Sequence, residues 1–466
     1  MHSSAVNITQ WVSAITLVVL TVSLLSIIAT LIGHRRRDEQ LQHMNRLMGH
    51  CRPLLDGVLT GQIEYARGRD TLRAMAADDR TRVLEQLLLE GNPKPDQVPV
   101  LRRLCEELGL VEIWQGQLAG PANSSEGRDA DARRNRAQRR ARQHSFLRQA
   151  TAAHYLGLIR HQPSWPLFVR ALSNLNPDLA AVAARSLAAI GEPESFPALV
   201  DQLHSVLLDP ATSLSLRSIK AALISFPLEC AEMLLPSLTH ANGRIRFVAV
   251  DIIREMVERR ARTTPGFVLD LKTFPPQLTK IFLERLCRDD SLDVRARASG
   301  VIAHMADPRA TSALLDLLDD AEWPVRLHAV RALAKPRYAS EAAVIARRLT
   351  DSRWRVREAA ARSLVALGSE GLHFLFRQFL VSGDKYSQEQ IAEEIQRAGL
   401  LPQLLGESLD GVGGKAIPAA EQLALVARID SHILESLKSL GSELGDSKSP
   451  STAVDSVSSE FPAKRS

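Results

Sequence analysis

At 466 residues the chain is too long for one ordinary hydrophobic core, so it either divides into domains or grows as a repeat array. Its 58 Lys and Arg stand against 53 Asp and Glu, a formal charge of only +5, too mixed a balance for a dedicated polyanion binder. The four cysteines, Cys51, Cys105, Cys230 and Cys287, are far apart and form no Cys-x-x-Cys, so they read as core thiols of a reducing compartment rather than a disulfide frame or a metal site.

Residues 1–10 carry no Lys or Arg. Trp11 to Gly33 then holds 23 residues without a charge. As a helix this run reaches roughly 35 Å, enough for the hydrocarbon core of a bilayer. His34-Arg35-Arg36-Arg37 follows at once. A cleaved signal peptide wants its basic cluster before the apolar run, not after it. The order here predicts a single transmembrane helix over 11–33, with residues 1–10 outside and everything after Arg37 in the cytoplasm, at the inner (cell) membrane.

Residues 34–120 read as a juxtamembrane helical region. Leu41, Met44, Leu47, Met48 and Cys51 share a helical face, as do Val83, Leu84, Leu87 and Leu88. Gly91 to Pro95 breaks the pattern and Val98 to Leu110 resumes it. Residues 121–145 form a charged linker that includes Arg128, Arg133, Arg134, Arg136, Arg139, Arg140 and Arg142. Beside an anchor these could touch anionic lipid, at about 1 kcal/mol per charge. The interspersed Asp129 and Asp131 favour a solvated loop or helix start instead.

From Phe146 a loose repeat begins, with Leu147-Arg148, Leu179-Ala180, Leu216-Arg217 and Ile245-Arg246 each opening an apolar helical stripe. The spacing from Ile245 to Val294 stretches to 49 residues, which places an insertion near Thr263 to Pro276. The period then becomes strict. Asp recurs at 289, 320 and 351, and Val-Arg at 294/295, 325/326 and 356/357, both every 31 residues. Ala298 and Ile302, Ala329 and Leu333, and Ala360 and Leu364 follow in the same rhythm. A period of this size means stacked supersecondary units, each a helix, a tight turn and a helix. The Asp sits where a helix N-cap belongs, and Pro324 suits a first helical turn. Ser387-Gln388 falls 31 residues after Val356-Arg357, in a more polar stretch suited to a capping repeat.

The pattern Asp-x-x-Trp/Leu-x-Val-Arg-x-x-Ala-x-x-x-Leu resembles the bacterial HEAT repeat, close to the variety found in phycobilin lyases. That resemblance implies an all-α fold, a right-handed α-solenoid of helix pairs over 146–400, preceded by the single transmembrane helix. Residues 401–440 complete it as a C-terminal helical cap, and the Ser-rich residues 441–466 are expected to be a disordered tail.

Chemistry is sparse. No His-Glu-x-x-His and no Gly-x-Ser-x-Gly occurs. Gly411-Val-Gly-Gly414-Lys415 fails as a phosphate loop, since Leu409 and Ala416 stand where it needs Gly and Ser or Thr. Trp323 and Trp354 repeat with the period and are expected to pack at the inter-helix turn. The arginines at 295, 326 and 357 are expected to form a ladder with the aspartates inside and between repeats. Six residues after the Val column stand Arg185, Asp251, Arg331 and Arg362, and three after it Arg297 and His328. The resemblance places this side on the concave wall, so Arg185, Arg297, His328, Arg331 and Arg362 are the candidate partner-binding residues, with Asp251 and Glu358 favouring a plain solvated face.

The expected function is a membrane-anchored cytoplasmic scaffold that binds a membrane-associated protein partner through the solenoid, in an envelope-associated complex. It is not expected to be an enzyme, and it needs no cofactor, metal or small-molecule substrate. The alternatives are a nucleic-acid binder of the HEAT-like type, disfavoured by the mixed charge and the anchor, and a lyase-like enzyme of the kind the repeats resemble.

Overall fold

The computed structural model describes residues 2–91, 93–120, 132–174, 176–209, 214–270 and 274–400. The expected cap over 401–440, the tail over 441–466 and the Gly411 to Lys415 run lie outside the described residues. Among those described the chain is helical, with one isolated bridge between Leu269 and Met305. It divides into two compact units, Met1–Arg259 and Arg260–Ser466.

The first unit begins with α1, His2–Leu59. The expected span 11–33 lies within this helix, but most of its side chains lie outside the described residues. Leu24, Leu25, Ile27, Ile28, Leu31 and Ile32 are described, and all are exposed. Among the described residues no helix is long and apolar enough to cross a membrane. Four short helices follow: α2 (Tyr65–Arg73), α3 (Ala77–Glu90), α4 (Val98–Glu107) and α5 (Leu110–Ala119). Their apolar stripes close around Leu55, Leu72, Leu84, Leu104 and the fully buried Trp114.

The helix α6 is Ala132–Leu158, so the residues 132–145 of the expected linker are helical. It packs on both α5 and α8 (Pro177–Ile190). The remaining helices of this unit are α7 (Trp165–Leu172), α9 (Phe196–Leu208), α10 (Leu216–Ser225), α11 (Leu235–Leu238) and α12 (Gly243–Thr263). Here α6, α8 and α10 form one layer, and α7 and α9 the other. Close approach of α6 and α8 depends on Gly157, because a Cβ there would run into Ser186. The Ser186 hydroxyl in turn donates to the Ala153 carbonyl at 2.9 Å and ties the two helices together.

The second unit carries the strict repeat. Its helices are α13 (Pro276–Glu284), α14 (Leu292–Ile302), α15 (Arg309–Leu318), α16 (Trp323–Ala332), α17 (Ala342–Ala346), α18 (Trp354–Ala366), α19 (Ser369–Val381) and α20 (Lys385–Arg397). The even-numbered helices pack in series, α14 on α16, α16 on α18, α18 on α20, and each also packs on the helix before it. The cause is in the columns. Val294, Val325 and Val356 are fully buried, as are Ala298, Ile302, Ala329, Leu333, Ala360 and Leu364. Alanine at the contact lets neighbouring helices approach, while the branched residues fill the space between layers. The fourth period departs from this rule: Ser387 stands in the Val column, fully buried, and its hydroxyl finds no hydrogen-bond partner among the described residues. The insertion after α12 is anchored rather than free. Leu269 N–H donates to the His304 carbonyl at 2.7 Å, and the Ala306 N–H donates back to the Leu269 carbonyl at 3.0 Å.

Candidate functional site

The repeating aspartates do not cap the helices as the spacing suggested. The N-cap residues of α14, α16 and α18 are Ser291, Glu322 and Arg353. Each Asp lies two positions earlier and closes an Asx turn, its Oδ1 accepting the N–H of Ser291, Glu322 or Arg353 at 2.8–2.9 Å. This geometry turns the rest of the carboxylate toward the preceding repeat. Arg295 donates to Asp320 through Nε at 2.7 Å and Nη2 at 3.0 Å, and Arg326 to Asp351 at 2.8 and 2.9 Å. The Nη1 of each arginine donates instead to the carbonyl of its own repeat's aspartate, Arg295 to Asp289 at 2.7 Å, Arg326 to Asp320 at 2.9 Å and Arg357 to Asp351 at 2.9 Å. The expected ladder therefore exists, and it runs in one direction: Arg295 and Arg326 each hold their own turn and grip the next, while Arg357 holds its own turn.

Burial alone would raise the Asp320 and Asp351 carboxyls, but the arginine hydrogen bonds, the turn N–H and the surrounding positive charge outweigh it and hold both below the usual carboxylate range. A carboxyl depressed in the folded state adds stability above its unfolded pKa of about 4, and that stability is lost as pH falls through the folded value. The melting temperature of the second unit should thus be flat from about pH 7 to 5 and drop steeply below about pH 4. A variant with Asn at both 320 and 351 should begin lower and show a shallower drop.

The candidate partner-binding residues separate into groups. Arg297 and His328 occupy equivalent, half-buried positions on α14 and α16, and both have interactions of their own. Arg331 and Arg362 occupy equivalent exposed positions on the packed helices α16 and α18. Arg362 is engaged: it meets Glu358 at 2.5 Å and Glu394 of α20 at 3.7 Å. Arg331 is exposed and has no ionic or hydrogen-bonded partner among the described residues. Arg185 lies in the other unit, in a cleft of about 220 Å³ beside His154 and Arg160. Asp251, in the same sequence column, is buried and held by Lys220 and Arg254, which extends through Glu255 and Glu258. Burial opposes its ionisation, but these hydrogen bonds outweigh burial and lower its pKa. This network fastens α10 to α12, a role the column did not reveal.

Trp354 contradicts the expected packing. Trp323 is half-buried, but Trp354 is 55% exposed. The Arg355 guanidinium lies between them, 5.8 Å from one ring centroid and 5.5 Å from the other. In the next period Tyr386 is 68% exposed, with Arg357 6.0 Å from its ring.

One constellation was missed because Glu106 and Gln115 lie far in sequence from His161 and Ser164. His161 Nδ1 is 2.8 Å from the Ser164 hydroxyl and its Nε2 is 3.6 Å from Glu106, the residue types of a hydrolytic triad but with the two ring nitrogens exchanged. Ser164 is fully buried, however, and its hydroxyl also accepts from Gln115 at 3.0 Å. Burial holds the His161 pKa down, against the opposing pull of Glu106. The group acts as a bolt between α5 and the turn that enters α7. All four cysteines are buried and form no disulfide, and burial pushes the Cys105 thiol up to about 12.

A family model described as HEAT repeats matches residues 279–365 and, overlapping them, 320–394. Residues 279–394 are HEAT repeats. The matched region covers α14 to α19 and the ladder. Among solved structures, the chain is similar to an engineered protein at 16% identity, over 79% of this chain and 99% of that one, with a TM-score of 0.32. Kap121p bound to Pho4p is similar at 12% identity over 79% of this chain and 50% of that one, TM-score 0.33. Human deoxyhypusine hydroxylase in complex with glycerol is similar at 16% over 74% and 98%, TM-score 0.23. No curated protein matches the chain.

Proposed function

We propose that this chain is a non-enzymatic scaffold that sits at the inner membrane through residues 11–33 and binds a membrane-associated protein through its HEAT array in the cytoplasm. The observation that carries the binding half is the HEAT array itself. It stacks helices whose interior is closed by the Val and Ala columns, while cationic and aromatic side chains such as Arg331, Trp354 and Tyr386 stay exposed on its helices. The membrane half rests on the uncharged run Trp11 to Gly33 and on its six described large apolar residues, all exposed on α1. An exposed apolar row of that size needs a covering phase, and a bilayer fits the basic cluster that follows it.

Arg331 tests the face directly. It is exposed and free of ion pairs among the described residues, so Arg331→Glu should leave the melting temperature within about 2 °C, as a surface change does. The same variant should weaken partner capture several-fold. Unchanged capture would place the partner on another face. Arg362 is a poorer probe, because its link to Glu394 joins α18 to α20. For the address, the full-length chain should stay in the membrane pellet after alkaline carbonate extraction. Release into the supernatant would remove the anchor.

A further inference from the structure

The ladder stops one rung early. Arg295 and Arg326 each grip an aspartate of the next repeat through Nε and Nη2. Arg357 makes the same Nη1 bond to its own turn, so its guanidinium is anchored as theirs are. One period beyond Asp351 stands Ser382, not Asp. The turn is nonetheless built in the same way: Ser382 Oγ accepts the Asp384 N–H at 3.2 Å, and Gln388 in the Arg column donates to the Ser382 carbonyl at 2.8 Å. What is missing is the carboxylate. The Arg357 Nε is buried and has no hydrogen-bond partner among the described residues. Taking a guanidinium out of water without a counter-charge is costly, so the group favours any carboxylate that can reach it.

Its surroundings suit a ligand that is more than a free ion. Trp354 lies one turn earlier on the same face of α18, and Tyr386 flanks the guanidinium from α20. Both rings are more than half exposed. Trp, Tyr and Arg are the residue types that dominate the energetics of protein interfaces. We infer that Arg357, one helical turn from Trp354 and beside Tyr386, is a docking site for an aspartate or glutamate side chain set beside an apolar residue on the partner protein. The two filled rungs show what such a guanidinium takes when one is supplied, which is a carboxylate held by both edge nitrogens. This inference rests on the partner-binding reading above and adds the chemistry of the contact.

The test fills the site from within. Ser382→Asp keeps the turn bond and supplies the absent carboxylate in the position Asp320 and Asp351 occupy. A random-peptide phage library is selected on the full chain and, in parallel, on the Ser382→Asp chain. The wild type should enrich peptides with Asp or Glu beside an aliphatic or aromatic residue, and the variant should not. Resynthesis of an enriched peptide with Asn for Asp should weaken binding about tenfold or more. Tyr386→Ala, at an exposed position, should weaken it several-fold without lowering the melting temperature. Absence of acidic enrichment on the wild type would overturn the site, whether because residues 401–466 or a second copy already fill it or because it takes no carboxylate. Equal enrichment on both chains would overturn it as well. If the cellular partner crosslinks equally to the wild type and to Ser382→Asp, the scaffold reading stands and this contact falls.

Discussion

Replacing Asp351 by alanine should destabilise the repeat array by about 3–5 kcal/mol, the range for breaking a buried ion pair from one side. The Asp351 side chain is only 4% exposed and that of Arg326 12%, so little solvent screens the pair. Alanine removes two charge-assisted hydrogen bonds and leaves the Arg326 guanidinium buried without its counter-charge. It also frees the Arg353 N–H at the start of α18. Asn at 351 should cost less, because its side-chain oxygen can still accept that N–H. Since an array unfolds by neighbouring units, the loss should be concentrated in amide exchange of α16 and α18 and fade toward α13. A loss spread evenly, or one below about 1 kcal/mol, would show that the ladder is a surface decoration of the kind that contributes little.

Val325→Asp should be more severe. Val325 is completely buried on α16, in the column that continues as Val294 and Val356. The adjacent Arg326 is already committed to Asp351 and to its own turn, so a new carboxylate would have no cation to meet. Burying an unpaired charge, or paying to protonate it, is among the most damaging single changes, and more than about 5 kcal/mol is expected. Circular dichroism should show lost helix in the second unit at room temperature. Asp at the exposed neighbour Ala321 is the control and should be nearly silent. If the two variants behaved alike, or in reverse, the repeat register would be wrong.

The register was legible because three columns recur together at one period, and each has a separate cause: a buried branched residue, a turn carboxylate and a guanidinium that joins them. What the spacing did not reveal was where φ and ψ become helical. An Asp at the end of a loop reads equally as an N-cap or as an Asx turn two residues earlier, and only the second frees its carboxylate to reach Arg295 or Arg326 across the repeat boundary. Trp354 illustrates a different limit. Its period matches Trp323, but burial at a turn depends on the side chains of the next repeat, and there Lys385 and Tyr386 leave the ring uncovered. Among the candidate partner-binding residues, periodicity identified positions that share a helix face, yet it could not tell exposed Arg331 from Arg362, which Glu358 and Glu394 already hold. The Lys220 network and the His161 bolt depend on contacts between residues about one repeat or more apart, and the column that held Asp251 did not announce its cationic partners.

The central claim is that one protein partner meets the array at the membrane. Its most direct test is a photoreactive residue placed at position 331 of the full-length chain, with a second chain labelled at Leu89, an exposed site on α3, as the control. Irradiation of intact membranes should yield one crosslinked polypeptide from position 331 and none from position 89. The same product from both positions, or no product from position 331 while the chain is folded and in the membrane, would contradict the account.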